Sequence, residues 1–173
     1  MKNLFGIVAS PRKLGNSEIF IKELYRQLPG AWELKLIRLP ELNLRPCQAC
    51  YRCLFEEMRC IQNDDLHLVL EALAQSDAYV VAAPTYFLGA NATLKLLLDR
   101  GLSFYAYFDK LWGKPAVGVA IAGNRGMEGY TKLIIESFIK LTLGDLRGSA
   151  VIYGALPGEI LVGNEGKETA KQL

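Results

Sequence analysis

The chain is predicted to be an α/β protein with a five-stranded parallel sheet covered by helices on both faces. Three observations carry this. Continuous apolar runs at Leu4–Ala9, Ala78–Ala83 and Ala116–Ala122 read as strands buried on both faces. Each run ends in a polar loop and passes into a segment with apolar residues at helical spacing. With 173 residues, 51% of them hydrophobic, the chain can build a full core as one domain over 1–173.

The first strand, Leu4–Ala9, runs into Ser10-Pro11-Arg12-Lys13-Leu14-Gly15-Asn16-Ser17. A helix follows with Phe20, Leu24 and Leu28 on one stripe, and Pro29-Gly30 stops it. Ser10, Asn16 and Ser17 offer hydroxyl and amide groups, Asn16 or Ser17 as the helix cap. The free N–H groups of the first turn attract an anion, and Arg12 adds a charged fork matched to phosphate. Neither G-x-x-x-x-G-K-[ST] nor G-x-G-x-x-G is present. A plain N-capped turn is the other reading of this loop.

Trp32 to Leu39 partly alternates apolar and polar residues, which suits an edge strand. A cysteine-rich insert at 45–63 follows. Asn63-Asp64-Asp65 opens a helix carrying Leu66, Leu70 and Leu73, with the two aspartates as cap and first-turn acids. His67, the one histidine, is read as an ordinary side chain. Ala78–Ala83 leads into Pro84-Thr85-Tyr86-Phe87, where a flat heteroaromatic ring would dock; Tyr86 and Phe87 as core or lid residues is the alternative. A helix from about Ala92 to Leu102 turns Leu94, Leu97 and Leu98 inward and pairs Lys95 with Asp99. Ser103–Gly113 is rich in aromatic rings and is expected at a subunit interface or over a ligand. The strand Ala116–Ala122 ends in Gly123-Asn124-Arg125-Gly126-Met127-Glu128-Gly129, whose glycines permit close backbone approach to a ligand. A helix, a last strand near Ser149–Tyr153 and a short final helix complete the order. The abrupt end at Leu173 suggests a natural chain that continues.

All four cysteines lie in one stretch, Cys47, Cys50, Cys53 and Cys60, spaced C-x2-C-x2-C-x6-C. Four thiolates in one loop can close on one compact soft cation, and an iron–sulfur cubane takes one thiolate per iron. Three other readings remain. Zinc usually has two C-x2-C knuckles with a longer span between them, a poor match here. Two disulfides would close small loops of little stabilising value. A C-x-x-C redox pair is the third.

The formal charge of +2, with scattered basic residues, argues against nucleic acid as a partner. No run is long and apolar enough for a membrane span, and no leader pattern precedes the first strand, so a cytoplasmic location is expected. With the alternating strand at an edge, order 2-1-3-4-5 fits, the three-layer flavodoxin-like arrangement. Its ligand crevice lies at the carboxyl ends of the strands, where the loops 10–17, 84–91 and 123–129 fall.

At this point the motifs become specific. The chain resembles the iron–sulfur flavoproteins, a branch of the NADPH-dependent FMN reductase group, over nearly its whole length. Ser10-Pro-Arg12-x-x-x-Asn16-Ser17 is similar to the group's FMN phosphate loop. Pro84-x-Tyr86 with Lys95 and Asp99-Arg100 is similar to its flavin-ring segment, and Gly123–Gly129 to its third loop. The compact cysteine spacing is similar to the branch's [4Fe–4S] motif. The resemblance implies Ser10, Arg12, Asn16, Ser17, Pro84, Thr85, Tyr86, Phe87, Gly123, Asn124 and Gly126 around FMN, and Cys47, Cys50, Cys53 and Cys60 on the cluster. It also implies a homodimer or homotetramer. A one-electron donor such as ferredoxin is then expected to feed the cluster, and FMN to serve an acceptor. An NAD(P)H-dependent FMN or quinone reductase with zinc or a disulfide at the cysteines, and a non-enzymatic flavodoxin-like carrier, are the rival expectations.

Overall fold

The computed structural model describes residues 1–56 and 59–173. Six strands form in chain order: β1 Lys2–Val8, β2 Trp32–Arg38, β3 Ala78–Tyr86, β4 Gly89–Ala90, β5 Pro115–Ala122 and β6 Asp145–Tyr153. The main sheet is parallel throughout, in the order β2-β1-β3-β5-β6. Counting its five long strands, this is the expected 2-1-3-4-5 order. The addition is β4, a two-residue strand antiparallel to the end of β3. Two residues carry no hydrophobic period, so nothing in the sequence marks it.

Seven α-helices are described: α1 Asn16–Gln27, α2 Arg52–Phe55, α3 Leu66–Gln75, α4 Ala92–Leu98, α5 Phe108–Leu111, α6 Thr131–Leu141 and α7 Glu165–Gln172. Successive strand residues point to opposite faces, which gives the sheet two cores. Leu4 and Val8 of β1 pack with Phe20, Ile21 and Leu24 of α1 and Ala170 of α7. Phe5 and Ile7 pack on the other face with Leu70, Leu97 and Ile135, from α3, α4 and α6. Gly6 lets α1 come close: a Cβ there would lie 2.5 Å from Leu36 and 2.9 Å from Ile21. The alternating segment is an edge strand, with β2 pairing only to β1.

Two local expectations change. The helix expected to reach Leu102 ends at Leu98, and Gly101–Tyr107 continues as a 3-10 turn. The aromatic link is not a single surface. Phe104 is 1% exposed and meets Phe138 edge-on at 5.2 Å, so it belongs to the core. Phe108 and Trp112 pack together on the outside.

Candidate functional site

Two regions gather the residues singled out by sequence. The first lies at the carboxyl ends of β1, β3 and β5. Gly15 occupies the N-cap of α1, and no side chain caps this helix. Asn16 and Ser17 therefore sit inside the first turn, not at the cap. A helix start without a side-chain acceptor keeps its N–H groups free for an anion. Ser17 and Ser10 are both buried beside it, and Ser10 Oγ accepts the Arg12 N–H at 3.3 Å.

Asn16 has a different employment from the one its sequence position suggests. Its Nδ2 donates to the carbonyls of Gly154 and Leu156, both at 2.9 Å, and its Oδ1 accepts the Gly158 N–H at 2.8 Å. Arg12 donates to the Ala155 carbonyl at 2.5 Å. These two side chains fasten the loop after β6 to the loop after β1. Glu18, which spacing did not single out, holds the loop from the other side. Its carboxylate accepts the Leu14 N–H at 3.1 Å, Lys22 at 2.6 Å and Arg38 at 2.6 Å. Burial pushes the Glu18 pKa up, but the Lys22 and Leu14 hydrogen bonds and the two cations outweigh it and hold it below the ordinary value. Leu14 itself has φ of +52°, a left-handed backbone that this bond helps to retain.

The other two loops are tied to each other. Phe87 and Leu88 form the two-residue turn between β3 and β4, with φ of +46° and +62°. Such a turn favours Asn-Gly, and here it carries two bulky apolar residues. Tyr86, Phe87 and Leu88 are exposed, so Tyr86 and Phe87 are not core residues. Tyr130 N–H donates to the Leu88 carbonyl at 2.8 Å, and Thr85 Oγ1 to the Glu128 carbonyl at 3.3 Å. Gly129 makes this closeness possible: its φ is +52°, and a Cβ would lie 2.1 Å from the Leu88 oxygen. Pro84 is half-buried at the end of β3, while Gly123, Asn124 and Gly126 are exposed. Glu128 accepts the Gly126 N–H at 2.9 Å and a hydrogen bond from the Tyr153 hydroxyl. That hydroxyl bond holds the Glu128 pKa below its ordinary value and the Tyr153 pKa above. Asn91, at the N-cap of α4, donates to the Ala9 carbonyl at 2.8 Å. Among the described residues its buried Oδ1 has no hydrogen-bond partner.

The second region is the cysteine loop. Cys47, Cys50, Cys53 and Cys60 are free thiols and all line one cavity of about 180 Å³, closed on its far side by Asp99–Ser103 residues that follow α4. Ala49 and Tyr51 take left-handed φ values of +50° and +56°, which folds the loop tightly between the first three cysteines. The expected loop 45–63 includes Glu57 and Met58, which lie outside the described residues. Among the described residues, no three Cys, His, Asp or Glu groups converge on a single-ion geometry.

Arg100 enters this cavity, whereas the sequence had grouped it with the flavin-ring segment. Its guanidinium donates to Cys60 Sγ at 3.0 Å, to the Arg45 carbonyl at 3.1 Å and to both oxygens of Asp64. Asp64 is thus more than a helix acid. It accepts Leu66 N–H at 3.2 Å, but it is also the buried partner of Arg100. Asp65 is the N-cap residue of α3 and makes no cap bond; its side chain accepts the Asn43 N–H at 2.7 Å. Burial works to raise the Asp64 pKa, and the Arg100 hydrogen bond, then the Arg45 and Leu66 N–H groups, bring it below the ordinary value. Burial works to lower the Arg100 pKa, and the bonds to Asp64 and Cys60 raise it. The partners are 36 and 40 positions away, so no spacing rule finds them.

The family described as NADPH-dependent FMN reductase matches residues 2–153. An iron–sulfur flavoprotein of Methanocaldococcus jannaschii is 31% identical over 181 residues, covering 98% of this chain and 92% of that protein. An iron–sulfur flavoprotein of Archaeoglobus fulgidus is 29% identical over 173 residues, covering 97% of this chain and 75% of that protein. Among solved structures, the Trp repressor binding protein of Bacillus subtilis superposes with a TM-score of 0.73 at 18% identity, covering 98% of this chain and 96% of that one.

Proposed function

Because this chain belongs to the NADPH-dependent FMN reductase family, in its iron–sulfur flavoprotein branch, we propose that it is an FMN-dependent electron-transfer oxidoreductase carrying a [4Fe–4S] cluster. The cluster's ligands are Cys47, Cys50, Cys53 and Cys60. The electron donor is a ferredoxin-like protein. The observation that carries this reading is the convergence of four free thiols on one cavity. A single zinc ion needs every sulfur about 2.3 Å from one centre. A cubane gives each sulfur its own iron, so the sulfurs border a space instead of meeting at a point.

FMN would supply two-electron storage and the cluster one-electron exchange, chemistry that belongs to the cofactors. The protein's share is placement. The uncapped start of α1, with Ser10 and Ser17, suits the phosphate of FMN. Arg12 and Asn16 act on that loop through the backbone of residues 154–158. The exposed Tyr86–Phe87 and Gly123–Gly126 segments, with half-buried Pro84 and Thr85 at their base, suit the ring. Glu18 and Arg38 keep the phosphate loop in position.

The test is anaerobic purification, followed by a visible spectrum and iron, sulfide and zinc analysis. The expected protein holds flavin with about four irons and four sulfides. Reduced ferredoxin is expected to bleach the flavin. Flavin absorbance without iron or sulfide, in anaerobically prepared protein, would overturn the cluster. Zinc in their place would return the rival reductase reading.

A further inference from the structure

Arg100 is 2% exposed, and its charge is held in place from several sides. Asp64 takes the fork with both carboxylate oxygens and is itself anchored by the Arg45 N–H at 2.9 Å and the Leu66 N–H at 3.2 Å. The Arg45 carbonyl takes a further bond at 3.1 Å. A buried ion pair is by itself weak support for stability, since apolar side chains of similar volume often serve as well. What an apolar pair cannot provide is the second Nη2 N–H, directed at Cys60 Sγ from 3.0 Å. Cys47 Sγ, by contrast, accepts a backbone N–H from Ala49 at 3.4 Å. The pair is neutral overall, but its positive member is the one hydrogen-bonded to the sulfur.

We infer that Arg100, oriented by Asp64, is the positioning residue that sets the reduction potential of the group bound through Cys60. The inference rests on the [4Fe–4S] reading above. Adding one electron from a low-potential donor makes a thiolate-bound cluster more negative by one charge. A cationic N–H donor on a ligand sulfur favours that reduced form, and hydrogen bonds to the sulfurs are among the levers that set such potentials. Removing the donor therefore makes reduction harder. Removing the Asp64 charge while leaving Arg100 exposes more of the positive charge and makes reduction easier.

The experiment is anaerobic reconstitution of the wild type, Arg100→Gln, Arg100→Lys and Asp64→Asn with ferrous iron and sulfide. Iron and sulfide are counted, and each protein is then titrated with dithionite under electron paramagnetic resonance. In Arg100→Gln the reduction equilibrium is expected to fall about tenfold, a shift of ~59 mV to more negative potential for a one-electron couple. Arg100→Lys is expected to lie between this and the wild type, and Asp64→Asn to move the opposite way. A loosened loop would move Arg100→Gln and Asp64→Asn in the same direction, and that result overturns the inference. So does an Arg100→Gln protein with full iron whose equilibrium stays within about twofold of the wild type. If Arg100→Gln does not fold, the opposite signs of Arg100→Lys and Asp64→Asn carry the test, and equal signs or no shift refute it. A wild type without iron and sulfide fails at the earlier count, where it is told apart from a cluster whose potential ignores Arg100.

Discussion

Glu18 illustrates how a single carboxylate can hold a ligand loop. Its hydrogen bonds to Leu14 N–H, Lys22 and Arg38 place its folded pKa below the ordinary value. The unfolded chain then binds more protons in the window just below that value, so stability rises with pH there. The contribution is complete above the unfolded pKa and disappears as pH falls through the folded one. Glu18→Gln is therefore expected to lower the urea midpoint at neutral pH and to converge with the wild type only once pH has fallen through the lowered folded pKa, read from unfolding curves across a pH series. Phe104 gives a test at the core. Phe104→Ala is expected to cost about 3–5 kcal/mol in urea unfolding, because a wholly buried ring packed edge-on against Phe138 leaves a cavity. At this scale the sequence is least legible. Asn16 is recognisable as a residue of the polar loop after β1, yet its amide bonds reach carbonyls 138 and 140 positions away. Arg100 is visible beside Asp99, but only the fold reveals that its guanidinium faces Cys60.

Among the elements, β1, β3 and β5 are readable because burial on both faces demands unbroken apolar runs, and β2 because one wetter edge face demands alternation; β6 is read only from Ser149, since its opening Asp145–Gly148 carries no apolar run. Helix α1 is readable from its stripe and its Pro29-Gly30 stop. The β3–β4 hairpin is not, since Phe87-Leu88 lacks the glycine or asparagine that announces such a turn. Its junction with the 123–129 loop depends on Gly129. Gly129→Ala would force a Cβ against the Leu88 carbonyl and a left-handed alanine. It is expected to weaken FMN binding at least about tenfold, roughly 1.4 kcal/mol, measured by quenching of flavin fluorescence.

For the molecule as a whole, the strand-end loops and the cysteine loop are built from different side chains. Cys53→Ser is expected to abolish most bound iron while leaving FMN affinity within about twofold, since the phosphate loop and the cysteine loop share no side chain described above. Metal analysis and flavin titration on the same preparation check both halves. The sheet order was legible because strand character and chain order constrain topology strongly. The meeting of the cysteine loop with the segment after α4 was not, because it is a contact between segments with no shared period.

Asn91, the N-cap of helix α4, fastens the helix to the end of β1 through its amide, and the residues just past the helix deliver Arg100 to the cysteine cavity. Seven helical residues at ~1.5 Å each make this a stiff strut of ~10 Å. One inserted residue would turn everything beyond it by about 100° and carry the guanidinium away from its sulfur. The interval from Asn91 to Arg100 is therefore a ruler written into the chain, and its length cannot drift without uncoupling the two ends.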